Sequence, residues 1–336
     1  MHRGFYVDTN HFFYSIRKKF CMSCGPRKTN MNILQHIFKS IEYRLSRLVF
    51  WLYIYPVGRL KFMVWNKPIV ASKEDTLLYI IDHKSSICRY GDGELNLIWG
   101  IDLGFQTCNP EISRRMKEVF DSDEENILIG LPDIFDDLDH YTDFSHDWWR
   151  TYLYSNIDKL KQIIKPGRHY FCSNITRFTS DYKEDQADKL IPLYRKIWDG
   201  RDIYIVEGEQ TRIGVGNDLL SNAKNLYRIL APVKNAYDKY DEIVAAIKEH
   251  VPWGSLVILA LGPTATIMAY DLAKMGYQAL DLGHFDIQYE YHIRGIHSKQ
   301  PIPGKYVNEA STAGQTVDDS VIKDENYSKS IIKRVI

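Results

Sequence analysis

The sequence has little of what marks secreted, membrane-spanning or nucleic-acid-binding proteins. Its apolar run at residues 48–55 is eight residues long, whereas a helix needs about 20 apolar residues to cross a bilayer. Residues 1–30 lack the short basic head and continuous apolar core of a secretory signal peptide. The 43 Lys and Arg residues balance the 43 Asp and Glu residues, so no net charge attracts nucleic acid. We therefore expect a cytoplasmic protein with no nucleic-acid partner.

Cysteine is also scarce. The five cysteines are irregularly spaced and odd in number, which argues against a disulfide framework and fits a reducing compartment. Cys21 and Cys24 form a single Cys-x-x-Cys pair, which supplies only half the ligands of a structural zinc site. Two free thiols in the N-terminal tail are the simpler interpretation.

Residues 31–65 show a basic amphipathic pattern. Apolar residues recur at helical spacing with Lys and Arg between them, and the run at 48–55 adds Trp and Tyr. Such a helix suits a membrane interface. It suits equally well an arm that packs on the domain or on a second subunit. The pattern leaves both interpretations open, and it does not predict the oligomeric state.

Strand-like and helix-like segments alternate from residue 69 to residue 293. The predicted strands are residues 87–90, 126–130, 170–173, 203–206, 228–230, 256–261 and 278–282. The predicted helices include residues 148–164, 189–198, 218–223, 243–250 and 266–275. Because the strands are continuous apolar runs separated by helices, we predict a Rossmann-like α/β fold with a mostly parallel sheet flanked by helices. Ligands bind such sheets beyond the carboxyl ends of the strands.

The chain divides into three regions. Residues 1–68 are expected to form a tail and a helical arm, and residues 69–296 a single α/β domain. Residues 297–336 are rich in Lys, Ser, Asp, Gly and Pro and show little periodicity. We therefore expect this last region to be loosely ordered.

Two carboxylates follow the first predicted strand of this domain, in the segment Arg89-Tyr90-Gly91-Asp92-Gly93-Glu94. At a strand-to-helix turn, Asp92 and Glu94 can place two hard oxygen ligands on one side of a divalent cation. Phosphate oxygens would then complete the coordination shell of that cation. The alternative is an ordinary Asp-Gly turn in which Glu94 caps the helix.

Two further strand ends carry phosphate-binding features. Gly262, Pro263 and Thr264 start a predicted helix, whose N–H groups and threonine hydroxyl could bind phosphate. The P-loop lysine and the Rossmann glycine fingerprint are both absent, so a simple capped helix is the alternative. The loop at residues 207–218 combines glycines with Arg212, which suits a bidentate phosphate contact. A surface loop is the alternative here.

The last predicted strand is followed by candidate general bases. His284 and Asp286 both lie just past its end, where the site is expected. A histidine in this position can instead be structural. Glu207 and Glu209 are the next candidates.

Together these segments resemble the GT-D glycosyltransferases, a bacterial family first described as a domain of unknown function. The resemblance covers about residues 70–293 and is carried by four motifs in order: residues 89–94, 208–219, 231–236, and 261–265 with 281–284. It implies transfer of a sugar from a nucleotide donor. It also implies that Asp92 and Glu94 bind a divalent cation, Mn²⁺ or Mg²⁺, near the diphosphate.

The expected function is therefore metal-dependent transfer of a hexose from a UDP-sugar to a glycan or lipid-linked glycan acceptor. This reaction would serve surface polysaccharide or glycoprotein glycan assembly, in the cytoplasm or at the inner face of the membrane. The candidate donor-binding residues are Arg89, Gly91, Arg212, Gly262, Pro263 and Thr264, with Tyr90, Trp99, Asn174 and Arg177 as further possible contacts. The alternatives are a membrane-recruited scaffold without activity and a metal-dependent phosphohydrolase.

Overall fold

The computed structural model of the chain describes residues 44–307, 309 and 325–336. In these residues nine strands form one parallel sheet, in the order β1-β4-β3-β2-β8-β7-β5-β6-β9. The strands are β1 (Ile69–Val70), β2 (Ser86–Arg89), β3 (Ile127–Leu131), β4 (His169–Cys172), β5 (Asp202–Gly208), β6 (Asn225–Ala231), β7 (Leu256–Ala260), β8 (Gln278–Asp281) and β9 (Ile331–Arg334). The predicted α/β fold with a parallel sheet is confirmed.

Helices connect the strands. They are α1 (Tyr55–Met63), α2 (Lys73–His83), α3 (Asp92–Ile98), α4 (Pro110–Asp121), α5 (Asp143–Ile163), α6 (Ala187–Trp198), α7 (Tyr240–His250), α8 (Pro263–Lys274), α9 (Phe285–Ile293) and α10 (Glu325–Ser330). Alternate strand residues belong to different buried clusters: Cys88 packs in one and its neighbour Ile87 in the other. Because successive side chains of a strand point to opposite faces, each face of the sheet has its own core. Both faces are therefore apolar, which explains the continuous apolar runs.

One predicted helix is absent. Residues 218–223 form turns, although the sequence predicted a short helix there. The side chain of Asn217 accepts a hydrogen bond from the Leu219 N–H (3.1 Å), and Asp218 accepts one from the Tyr289 hydroxyl (2.5 Å). The first of these bonds offers the backbone an alternative to the helical pattern, and the second ties the side chain of Asp218 to α9.

The C-terminal region is more ordered than predicted. Strand β9 pairs with β6 at the edge of the sheet, and Ile302 and Val307 are buried. The Tyr306 N–H donates to the Gln210 carbonyl at 2.8 Å. The expectation of a loosely ordered segment at 297–336 is therefore wrong for its described residues, and β9 extends the predicted 69–296 domain. Ile302 and Val307 form a small buried cluster with Ile287 and Tyr291 of α9, and Val335 belongs to the main core.

The N-terminal arm is helical over its described part, and it packs on the domain. Residues 44–49, a π-helical turn at Phe50–Ile54 and α1 follow one another. A Cβ atom added to Gly58 would lie 2.6 Å from the Cβ of Tyr154 on α5, so only glycine allows this approach. The predicted helical arm is thus confirmed for residues 44–63. Residues 31–43 and the Cys21/Cys24 pair lie outside the described residues.

Among the helices that the structure describes, none combines the length and apolar character needed to cross a membrane.

Candidate active site

Arg89 connects the carboxyl ends of the central strands. Its Nε donates to the Asp281 carbonyl (2.5 Å), and its Nη2 donates to Asp281 Oδ1 (2.9 Å) and the Gly283 carbonyl (3.2 Å). Its Nη1 donates to the Ser173 carbonyl (3.1 Å) and to Thr176 Oγ1 (2.5 Å). All five N–H groups of the guanidinium therefore have protein partners. This pattern favours a positioning residue over the predicted donor ligand.

Asp92 and Glu94 lie in the first turn of α3, beside this junction. Glu94 Oε2 accepts a hydrogen bond from the Gly91 N–H at 2.9 Å, so Glu94 caps its own helix as the alternative interpretation expected. Burial and the negative charge of Asp281 raise the pKa of Glu94 to about 7, although the Gly91 N–H acts in the opposite direction. Gly91 thus supports the carboxylate pair through its backbone.

Asp92 and Glu94 would suit a metal site in which the protein supplies only part of the coordination shell. Within residues 44–307, 309 and 325–336, no group of three or more His, Cys, Asp or Glu side chains is placed to hold a metal ion. A cation bound by Asp92 and Glu94 would therefore take the rest of its coordination shell from phosphate and water oxygens. A cation there would also favour the charged form of Glu94 against its burial.

The start of α8 does not present its threonines as predicted. Gly262 is the N-cap residue and no side chain caps the helix. Thr264 is buried and its hydroxyl donates to Gln106 Oε1 at 3.3 Å, while the Thr266 hydroxyl bonds to the Arg89 carbonyl at 3.1 Å. A side chain at Gly262 would meet the Phe105 ring at 3.2 Å. The loop before α4 thus covers this helix start, which argues against the proposed phosphate contacts of Pro263 and Thr264.

The loop at residues 207–218 is also directed inward. Arg212 is buried, and its Nη1 donates to the Gly304 carbonyl at 2.7 Å. Glu207 is buried and pairs with Arg228 at 2.5 Å. The loop therefore holds the C-terminal segment, and its geometry argues against Arg212 as a donor ligand and against Glu207 as a base.

Asp286 belongs to a buried ion-pair cluster. Its Oδ2 lies 2.6 Å from the Nζ of Lys305, and its Oδ1 accepts a hydrogen bond from the Gly214 N–H at 2.8 Å. Lys305 also lies 2.9 Å from Glu290, and all three side chains are almost fully buried. A carboxylate held in this way has no path to an acceptor hydroxyl, so the structure argues against Asp286 as the base. No sequence pattern connected it with Lys305.

His284, the other candidate base, remains accessible. It is the N-cap residue of α9, with φ +77°, and its side chain is 32% exposed. Burial and the positive charge of Arg177 lower the pKa of His284 to about 4. The imidazole is therefore neutral at pH 7 and can both donate and accept a hydrogen bond.

A charged cluster lies next to His284. Arg177 pairs with Glu309 and with Asp181, and Lys299 pairs with the same two carboxylates. His284 Nε2 lies 4.0 Å from Glu309 Oε1. Of these four charged residues the sequence analysis proposed only Arg177 as a contact. Asp181, Lys299 and Glu309 come from segments with no recognisable motif.

The chain matches relatives that carry glycosyltransferase names. It is 32% identical over 267 residues to the Glycosyltransferase GlyD of Streptococcus pneumoniae serotype 4 (strain ATCC BAA-334 / TIGR4), covering 78% of this chain and 32% of that protein. It is 34% identical over 242 residues to the probable glycosyl transferase Gly of Streptococcus gordonii, covering 71% of this chain and 35% of that protein. The chain thus spans about a third of the length of these curated relatives.

Solved structures share the fold. One is described as the highly conserved domain of unknown function 1792 with a distinct glycosyltransferase fold; its TM-score is 0.76 at 28% identity, covering 83% of this chain and 100% of that chain. Another, a new glycosyltransferase (DUF1792) from Streptococcus sanguinis, has a TM-score of 0.74 at 32% identity, covering 80% and 100%. The family model of the glycosyltransferase GT-D fold matches residues 87–310. The family resemblance of the sequence motifs is confirmed, and the chain belongs to the GT-D fold family of glycosyltransferases.

Proposed function

We propose that this chain is a metal-dependent glycosyltransferase that moves a sugar from a UDP-sugar to a glycan acceptor in surface polysaccharide or glycoprotein glycan assembly. The observation that carries the proposal is the position of Asp92 and Glu94. Both lie in the first turn of α3, beyond the carboxyl end of β2, where parallel sheets bind their ligands. The cations Arg177 and Lys299, which lie next to His284, suit the negative charge of a nucleotide diphosphate.

The side chains of the site have separate roles in this proposal. Asp92 and Glu94 would hold Mn²⁺ or Mg²⁺, which when bound supplies positive charge to the leaving diphosphate. Arg89 fixes the strand ends around the site through its five hydrogen bonds. His284 presents a neutral imidazole beside the charged cluster, so it can donate a hydrogen bond to a phosphate oxygen. Its lowered pKa makes it a weak base toward the acceptor.

One assay separates this function from its alternatives. The protein is incubated with UDP-sugars and Mn²⁺, with and without a glycan acceptor, and UDP and inorganic phosphate are measured. We expect slow UDP release without acceptor, because water replaces the acceptor poorly, and faster release with it. Release of inorganic phosphate would instead show a phosphohydrolase. No product with any donor would favour the scaffold.

We also propose peripheral contact between the arm and an anionic membrane. Large apolar side chains of the arm point away from the domain; Leu52 is 71% exposed and Leu60 is 65% exposed. Residues 44–63 contain four Lys or Arg residues and no Asp or Glu. Apolar surface combined with basic residues is what interfacial helices use, and each cation near an anionic surface contributes about 1 kcal/mol. Such contact would bring the protein to the surface that holds a lipid-linked acceptor.

Replacing two exposed leucines of the arm tests this contact. We expect Leu52→Asp with Leu60→Asp to reduce cosedimentation with phosphatidylserine vesicles about tenfold or more, because charge replaces the inserting apolar surface. Leu78→Asp on α2 is the matched control, since Leu78 is exposed elsewhere on the domain. Equal sedimentation of wild type and double variant would contradict membrane contact through this face.

A further inference from the structure

We propose that Arg177 and Lys299 form the site for the phosphate groups of the donor, and that the carboxylate of Glu309 occupies this site when no donor is bound. This inference rests on the proposed function for the identity of the donor. It assigns the donor phosphates to Arg177 and Lys299, neither of which belongs to one of the four sequence motifs. It also makes Glu309 an internal competitor of the donor.

The contacts of Glu309 are those of a bound anion. Arg177 holds it with two hydrogen bonds, from Nη1 to Oε2 (3.1 Å) and from Nη2 to Oε1 (2.5 Å). The Nζ of Lys299 lies 2.7 Å from Oε2. A bidentate arginine with a second cation is also the arrangement that binds phosphate. The carboxylate therefore takes positions that two phosphate oxygens could fill.

The second carboxylate of the cluster has a fixed role. Asp181 accepts a hydrogen bond from the Ser145 hydroxyl at 2.9 Å, and its side chain is almost fully buried. It contacts both Arg177 (3.1 Å) and Lys299 (3.0 Å). When Glu309 leaves, two cations face this one carboxylate, and the cluster carries a net positive charge. That charge would favour a phosphate group in the place of Glu309.

The cluster lies beyond the carboxyl ends of the strands, where the sequence predicted the site. Arg177 directly follows Thr176, which accepts a hydrogen bond from Arg89, and His284 directly follows Gly283, which accepts another. The junction at Arg89 thus joins the cluster to the strand that leads into Asp92 and Glu94. The side chains of Arg177, Lys299 and Glu309 are 21%, 26% and 13% exposed. A ligand can therefore reach the cluster from solvent.

Calorimetric titration of Glu309→Gln tests the inference. Glutamine keeps the size of the side chain and loses its charge, so it should leave the two cations available. We expect UDP and inorganic pyrophosphate to bind about tenfold more tightly than to wild type, the gain expected if Glu309 fills the site for about nine-tenths of the time. Lys299→Ala should weaken both ligands. Glu325→Gln, at an exposed position on α10, is the control and should change neither.

Two results would overturn the inference. Unchanged or weaker pyrophosphate binding to Glu309→Gln would do so, and a lower melting temperature alone would then mark Glu309 as a structural contact. The inference would also be overturned if Glu309→Gln bound pyrophosphate more tightly and the addition of Lys299→Ala did not reverse this gain. If pyrophosphate binds more tightly but UDP binds neither protein, the anion site is supported and the proposed nucleotide donor is wrong. The two proposals can thus fail separately.

Discussion

Asp92→Asn and Glu94→Gln are each expected to reduce sugar transfer by about 10²- to 10³-fold or more. Either change removes one of the two charged oxygen ligands assigned to the cation, and the described residues place no group of three or more metal-binding side chains together. Neither should unfold the protein, because the turn lies beyond the carboxyl end of β2 and both substitutions keep the size of the side chain. In Glu94→Gln the amide oxygen can still accept the hydrogen bond from the Gly91 N–H, so the helix cap is retained.

The measurement is UDP release from the donor at saturating Mn²⁺, with melting temperatures recorded beside it. Asp158→Asn is the matched control, since Asp158 is an exposed carboxylate on α5 that pairs with Lys61. We expect this control to transfer sugar at the wild-type rate. Full activity in Asp92→Asn or in Glu94→Gln would end the assignment of that residue to the metal.

Lys305→Met is expected to lower the free energy of unfolding by about 3–5 kcal/mol. The substitution removes the cation between Asp286 and Glu290 and leaves two carboxylates buried together. Adding Asp286→Asn should restore part of the loss, because one buried charge is then removed. Denaturant unfolding monitored by circular dichroism gives the free energies.

Lys333→Met is the matched control for this series. Lys333 lies on β9, and its side chain is 41% exposed, so we expect a change within about 0.5 kcal/mol. A loss below about 1 kcal/mol in Lys305→Met would contradict the buried cluster described above. The Asp286→Asn variant alone is also informative. A large loss of turnover at unchanged stability would restore Asp286 as a candidate base.

The sheet could be predicted from the sequence because burial leaves a local pattern. A strand covered on both faces is apolar at every position, as Ile258 and Leu259 of β7 show, so its sequence alone identifies it. Strand β9 has no such signal, because an edge strand with Lys333 and Arg334 is partly exposed. It depends on its partner β6, which lies about a hundred residues earlier in the chain.

The candidate site could be predicted in position more than in detail. Asp92 and Glu94 lie where the strand-to-helix pattern placed them, since that turn is formed by adjacent residues. Arg89, Thr264 and Asp286 also lie at or just beyond strand ends, but their polar groups bond to other protein groups. Whether a polar group faces a ligand or a protein partner depends on segments distant in sequence. Lys305 and Glu309 are such partners, and no sequence motif predicts their contacts.

The junction at Arg89 also bears on the order of folding. Arg89 and Asp281 are separated by 192 residues in sequence, yet they form adjacent strand ends. Contacts of such separation form slowly, because a long loop must close before they stabilise anything. Chains of this size also tend to fold through partly structured intermediates. The surroundings of Asp92 and Glu94 therefore depend on the pairing of β2 with β8, which a long stretch of chain must close first.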